Sequence, residues 1–525
     1  MSTVTVLVSA LLSKGRRVRF PARLSVFPAR LSVFPARLSV GALLVGAGAL
    51  VPLQSGCGAR CTGVGCAEEY GASRIGVHFG SVVDRIGLQN PRRSNASIVG
   101  DRAAGVDWSV EVVDQRLWVG MPDLGEVRSY TLGAGDRLEH TDHDGRFFSN
   151  LGDDRFGASI HRLGDADGDG GLDMVVTAPL RSPTDLMREA GAVYILPEPI
   201  LDEGTGNLDT NPVRTITGPQ SGARFGESMA VCPDMDGDGR PELLVGMPWY
   251  DHQPSRAATV YLAGAAALVL STTYPTVGGT RSVDDAEIWT GSDDGARAGT
   301  ALACTDVIGD ASPDLIISAP YADGDHEGEG AIYIIDGSTR RAGELSVVAD
   351  RVLSGASDNG WLGWSMATGD LNGDGRTDLL AGSPGHTLSV SGEVSRPQGL
   401  ALVWDGADLE AGLNDTARFR IAGVAEGDAV GRTVEVVDLD ADGFDDLLVG
   451  APRLVVNEAY DAGALFVYRG QPDHAGLRAQ LDTRDATYWW EAERDYLQTG
   501  GTLAVGDLNG DDLADLLLVH RRQPG

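Results

Sequence analysis

Residues 165–179 read DADGDGGLDMVVTAP. Aspartates alternate with small residues over nine positions, and an apolar run follows at once. Carboxylates at positions 1, 3, 5 and 9 let a short loop curl around one ion. Oxygen-only ligands suit a hard cation, and a crowded, flexible set favours Ca²⁺ over Mg²⁺. The run behind the loop is short, apolar and closed by Ala-Pro, which reads as a buried strand. The same stretch returns as DMDGDGRPELLVGMP (234–248), DVIGDASPDLIISAP (306–320), DLNGDGRTDLLAGSP (370–384), DLDADGFDDLLVGAP (438–452) and DLNGDDLADLLLVH (507–520). Its first Asp recurs every 64 to 72 residues. VEVVDQRLWVGMP (110–122) keeps the strand and the closing Gly-Met-Pro without the acidic loop.

Further parts recur with the loop. RFGAS (155–159), RFGES (224–228) and LGWS (362–365) precede it. AGAVYIL (190–196), AATVYLA (257–263), EGAIYII (329–335) and AGALFVY (462–468) follow as alternating strands. A pitch of about 65 residues with about four strands per unit means a propeller or a β-solenoid. On Phe156-Gly157, the loop Asp165–Asp173, Ala178-Pro179 and their equivalents, the chain resembles the FG-GAP repeats of the integrin α-chain N-terminal β-propeller. The resemblance covers about residues 75–525 and implies an all-β, seven-bladed ring. Units are expected near 101–132, 155–197, 224–264, 297–337, 361–406, 429–470 and 500–525. The last unit stops after its second strand, so SRIGVHFGSVV (73–83) is expected to pair with it and close the ring. Closure would leave no open sheet edges around the axis.

The loops are graded by their ligands. Asp165, Asp167, Asp169 and Asp173 form a full set; so do Asp370, Asn372, Asp374 and Asp378, and Asp438, Asp440, Asp442 and Asp446. Asp234, Asp236, Asp238 and Glu242 end on a longer acid. Asp507, Asn509, Asp511 and Asp515 have Asp512 where a turn Gly belongs. Position 7 (Gly171, Arg240, Arg376, Phe444, Leu513) would lend a backbone carbonyl, leaving its side chain free to vary. Asp306/Ile308/Asp310/Asp314 lacks position 3 and the Gly, and is expected to be weak or empty. Four or five Ca²⁺ sites are therefore expected, bracing the fold rather than catalysing.

No nucleophile elbow, zinc signature or phosphate loop is present. Ser159, Ser228 and Ser365 recur at one repeat position, which is architectural. His140 and His143 read as a solvated loop, and SDNGW (357–361) as part of the repeat frame. A non-catalytic binding module at a bacterial cell surface is the first expectation, with a protein or glycan ligand. Its recognition loops would be 180–189, 249–256, 321–328, 385–398 and 453–461, on the face opposite the acidic loops. A hydrolase or lyase using carboxylates of the propeller face is the alternative.

Asp and Glu outnumber Lys and Arg by 75 to 42, for a net charge of −33. Such a surface repels phosphate backbones, which argues against nucleic acid as a partner. Glycine is 71 of 525 residues, about twice the usual share, as many tight turns require. Residues 1–56 read as an export segment: KGRRVR at 14–19, three tandem copies of FPARLSV across 20–40, then an apolar run from Leu38 to Leu53. LQSGC resembles a bacterial lipoprotein signal, with Cys57 as the lipidated residue, although Gln54 departs from the aliphatic residue expected there. The membrane would be reached only through that lipid; simple secretion is the alternative. Residues 57–72 form a Cys-rich linker, and 73–525 the propeller, expected as a monomer. With Cys57 lipidated, Cys61–Cys66 and Cys232–Cys304 are candidate disulfides.

Overall fold

Each apolar run behind an acidic loop forms the second strand of an antiparallel sheet. These strands, such as Asp173–Ala178, Glu242–Met247 and Asp378–Ser383, are buried at every position. Burial on both faces explains why they are continuously apolar rather than alternating. The computed structural model describes most of residues 108–521, together with the strands Ser2–Val8, Ile75–His78 and Ser97–Gly100. Cys57, Cys61, Cys66 and the FPARLSV repeats lie outside the described residues.

Six sheets are blades made of consecutive strands. The first runs from inside outwards as Ser109–Val113, Arg116–Met121, Glu126–Thr131 and Gly145–Phe148. The next five begin with the inner strands Ile160–Gly164, Met229–Cys232, Leu302–Thr305, Met366–Gly369 and Val434–Val437. The expectation of seven like units is thus corrected: among the described residues there are six such blades, and the last repeat contributes Leu503–Gly506 and Asp515–Arg521. Those two strands join a mixed sheet with Ser2–Val8, Ile75–His78 and Ser97–Gly100. Ile75–His78 enters that sheet as the segment 73–83 was expected to. Its neighbour is Ser2–Val8, however, and it is Ser2–Val8 that pairs antiparallel with Asp515–Arg521. The beginning of the segment read as an export signal therefore forms a strand.

Inner strands neighbour one another in chain order, and Leu503–Gly506 returns to Ser109–Val113. Hydrophobic clusters fill the wedges between successive sheets. Trp118 and Val127 of the first blade pack with Phe156, Met174 and Val176 of the second. Leu117, Val119 and Met121 pack with Leu508 and Leu517, and Leu448 and Val467 pack with Leu516 and Leu518. The mixed sheet is thus wedged between the sixth blade and the first.

Small residues of the motif set how closely blades approach. Gly191 opens the third strand of its blade at φ 88°, bridging in parallel to Phe225 of the next. A Cβ there would meet the Phe225 carbonyl oxygen at 2.2 Å. Gly264, Gly399 and Gly463 make the equivalent bridges. The recurring hydroxyl spans the same gap. Ser109, Ser228, Ser365 and Thr433 each donate to a glycine carbonyl of the following unit, at 2.5–3.0 Å. These hydroxyls are staples between blades, whereas Ser159 at the same repeat position bonds His161 Nε2 at 2.9 Å.

A device not foreseen closes the outer rims. The segment between the third and fourth strands of a blade lends a short parallel strand to the outer edge of the blade before it. Thr205–Asn207 pairs with Gly145–Phe148, Thr280–Ser282 with Arg214–Thr217, and Gln480–Asp482 with Phe419–Ala422. Arg137–Glu139 does the same for Ser97–Gly100 of the mixed sheet. Those edges, which would otherwise template aggregation, are covered, while the fourth and sixth blades gain no such strand among the described residues. Cys232 and Cys304 are joined in a disulfide linking the inner strands of the third and fourth blades, their Cα atoms 5.1 Å apart.

Candidate functional site

The acidic loops join the first and second strands of their blades, so all lie at one end of the propeller. One hydrogen-bond scheme builds them. In 234–242, the Asp234 carboxylate accepts from the Gly237 and Gly239 amides at 2.6 and 2.8 Å. Those bonds, the Gly239 amide foremost, hold its carboxyl below the usual range. Asp370 accepts likewise from Gly373 and Gly375, and Asp165 from Gly168 and Gly170. The position-7 amide donates to the position-5 carboxylate: Gly171 to Asp169, Arg240 to Asp238, Arg376 to Asp374, Phe444 to Asp442 and Leu513 to Asp511. The degenerate loop keeps the scheme, Asp306 accepting from Gly309 and Ala311. The turn is therefore a property of the backbone pattern, and ligand number varies upon it.

Position 9 opens the buried second strand and is itself buried in all six loops. Desolvation pushes Glu242, Asp378, Asp446 and Asp515 up to about 7, and Asp314 to about 6. Asp314, Asp378 and Asp446 spend both oxygens on backbone amides: the residue after position 1 of their own loop, and Gly337, Gly406 or Gly470 behind the third strand. Glu242, one methylene longer, is different. Its Oε2 accepts from Met235 at 2.7 Å, while Oε1 is buried without a hydrogen-bond partner. Asp234, Asp236, Asp238 and Glu242 each place an oxygen within 4.8 Å of the others. A buried carboxylate grouped with three more carboxylates fits a hard divalent cation. Ser271 and Thr272 steady the set by donating to Asp238 and Asp236.

The loops diverge in what surrounds them. At 438–446, Asp438, Asp440 and Asp442 are brought together, but Arg469 reaches in from the end of the third strand. Its Nη2 pairs with Asp440 and, at 2.6 Å, with Asp442. The ligand set that looked complete already holds a guanidinium. At 306–314, Asp310 and Asp314 are joined by Asp336, a residue absent from the expected sites. It follows the third strand directly, where Asp405 and Arg469 stand in their blades, and that alignment was the available signal. Asp167 and Asp512 lie outside the described residues.

Two of the position-7 side chains, expected to be free to vary, reach the neighbouring loop. A Cβ on Gly373 would meet the Phe444 ring at 2.5 Å, and one on Gly168 the Arg240 guanidinium at 3.0 Å. Each packs over the acidic loop of the preceding blade. Arg376 instead binds Glu410 at 2.8 Å.

The opposite end carries the loops between second and third strands and the turns that enter each inner strand. Arg155, Arg224, Arg297, Trp361, Ala429 and Gln498 occupy one equivalent position there, all with φ between 51° and 58°. That region is costly for residues other than glycine.

With this geometry established, likeness to known proteins is informative. The chain matches the FG-GAP repeat at residues 225–263, 362–396 and 430–468. It is 33% identical to integrin alpha-PS2 of Drosophila melanogaster over 183 residues, 33% of this chain and 11% of that protein. Integrin alpha-5 of Xenopus laevis is 26% identical over 242 residues, 44% of this chain and 21% of that one. Phosphatidylinositol-glycan-specific phospholipase D of Bos taurus is 32% identical over 169 residues, 31% of this chain and 19% of that enzyme. The matches span about a fifth or less of those relatives. The protein is an all-β propeller of FG-GAP repeats.

Proposed function

We propose that the protein is a non-catalytic binding module whose propeller is braced at one end by divalent cations, Ca²⁺ first, and recognises its ligand at the other. The buried carboxylate of Glu242 grouped with Asp234, Asp236 and Asp238 within 4.8 Å carries the cation reading. Asp165, Asp169 and Asp173 and the loops at 370–378 and 507–515 would hold further ions. The 438–446 loop would not, because Arg469 supplies its positive charge. The mixed sheet would close the ring between the sixth blade and the first. A rigid ring with varied loops at one end is the arrangement of a recognition surface. The likeness to integrin α-chains supports a binding role.

An exported location belongs to the same reading; a lipid anchor at Cys57 does not fit it, since cleavage before that residue would remove Ser2–Val8, the strand paired with Asp515–Arg521. The Cys232–Cys304 disulfide supports export, since such bonds persist outside reducing compartments. Among the described residues no helix is long and apolar enough to cross a membrane.

The test is saturable binding of the full chain to a panel of purified polysaccharides and extracellular matrix proteins, in CaCl₂ and in chelator. Binding that chelation weakens supports the reading. No binding anywhere on the panel, or cleavage of a polymer, contradicts it.

A further inference from the structure

The Cys232–Cys304 disulfide is the one covalent tie between blades among the described residues, and it stands against a cation loop. In the fourth, fifth and sixth blades the inner-strand residue paired with position 9 comes directly before position 1: Thr305 with Asp314, Gly369 with Asp378 and Val437 with Asp446. The third blade differs. There Cys232 pairs with Glu242, and Pro233 intervenes before Asp234. Proline has no N–H with which to extend the ladder. The loop 234–242 is thus joined to its inner strand through one more residue outside the ladder, and the residue before that gap carries the disulfide. Glu242 is also the one glutamate at position 9, a methylene longer than the aspartates of the other five loops.

A second contact runs from the same bond to the same ligand. Cys304 Sγ lies 3.7 Å from Met235 Sδ, and the Met235 amide donates to Glu242 Oε2 at 2.7 Å. Cys232, Cys304 and Met235 belong to one apolar cluster between the third and fourth blades. Away from the inner strand, Ser271 and Thr272 hold Asp238 and Asp236. The bridge therefore fixes the part of the loop that those hydroxyls do not reach. A tie serving stability alone would constrain the unfolded chain as well from any facing pair of similar separation. This one falls opposite a ligand.

We propose that the Cys232–Cys304 disulfide is a redox-sensitive latch on the 234–242 cation site, an inference that rests on the cation reading above. Asp234, Asp236, Asp238 and Glu242 repel one another when no ion lies among them. With the bridge intact, the start of the loop cannot relieve that repulsion by moving away from the fourth blade. The ligands stay gathered, and less ordering is left for the ion to drive. Reduction moves two electrons and two protons from an external dithiol, which closes to its own disulfide, and leaves Cys232 and Cys304 as thiols. The freed loop spreads, and Ca²⁺ affinity at this site falls. The other acidic loops have no such bridge among the described residues and keep their affinity.

The experiment titrates the full chain with Ca²⁺ by calorimetry, before and after dithiothreitol, at a temperature where circular dichroism shows both forms folded. One site is expected to weaken about tenfold or more on reduction while the others hold. Cys232→Ala/Cys304→Ala should show the same loss and no response to dithiothreitol. Glu242→Gln should lack that site, and its remaining sites should ignore reduction. Unchanged affinity at every site after confirmed reduction overturns the latch while sparing the cation sites. Equal weakening of all sites, or weakening that persists in Glu242→Gln, assigns the bridge to the ring as a whole and likewise overturns the latch. No Ca²⁺ binding by wild type overturns the cation reading and the latch with it. Where reduction leaves the chain too unstable to titrate, urea unfolding decides. Reduction should then lower the midpoint more in CaCl₂ than in chelator, and an equal loss overturns the proposal.

Discussion

Arg469 decides the fate of a loop whose own residues match its neighbours. Its guanidinium pairs with Asp440 and Asp442, while burial pushes Asp440 up to about 6 even against that charge. Arg469→Ala is therefore expected to add one Ca²⁺ per chain, read by equilibrium dialysis; unchanged stoichiometry would show that the loop binds metal beside the arginine. Glu111 and Glu435 make a second case. Both lie on inner strands, and burial raises both to about 7, helped at Glu111 by the charge of Glu435 and opposed by Arg162. A carboxyl whose folded pKa is raised stabilises the fold below its unfolded value, near 4.5 here, and that stability is lost as pH rises through about 7. Glu435→Gln should therefore raise the melting temperature at pH 8 relative to wild type, with a smaller difference at pH 5. An equal shift at both pH values would refute the assignment. At this scale the nine-residue loops were legible because alternate aspartates have few other uses. Arg469 and Asp336 were not, since they stand some 25 residues from the loops they complete and only the fold brings them there.

The strands and turns obey the repeat closely. The second strands were readable because burial on both faces leaves an uninterrupted apolar run. The serine position was readable as architectural by its repetition, and at Ser228 and Ser365 its partner proved to be a glycine carbonyl of the next unit. The lent parallel strands were not readable: TGN, TRS and QLD are three residues long, too short to carry a period. Gly191→Ala tests the interblade contact. With φ at 88° and the Phe225 carbonyl 2.2 Å from the new Cβ, it should destabilise by more than about 1 kcal/mol in a denaturant titration. A neutral change would mean the blades can part without cost. The disulfide acts on the same scale. A link across 72 residues constrains the unfolded chain by about 4 kcal/mol in the chain-entropy account. Cys232→Ser should lower the melting temperature by several degrees, and reducing agent should shift wild type but not the variant.

Over the whole molecule, the repeat pitch and the acidic loops made a propeller legible, and the FG-GAP matches at 225–263, 362–396 and 430–468 agree with it. The make-up of the last sheet was only half legible. The segment 73–83 does supply a strand, but Ser2–Val8 reads as the start of an export signal and its seven alternating residues were hidden under that reading. Closure depends on Leu517, fully buried between the first blade and the mixed sheet. Leu517→Ala should cost about 2–5 kcal/mol. Comparable loss is expected for core residues elsewhere only if the ring unfolds as one unit. The central claim is that cations at one end hold this ring together. The direct measurement is the melting temperature of the full chain in millimolar Ca²⁺ and in excess chelator. Each site filled at about 100 times its dissociation constant adds about 2.7 kcal/mol, so several sites predict a large drop on chelation. An unchanged melting temperature would mean that the carboxylates are empty turns, and would contradict the account.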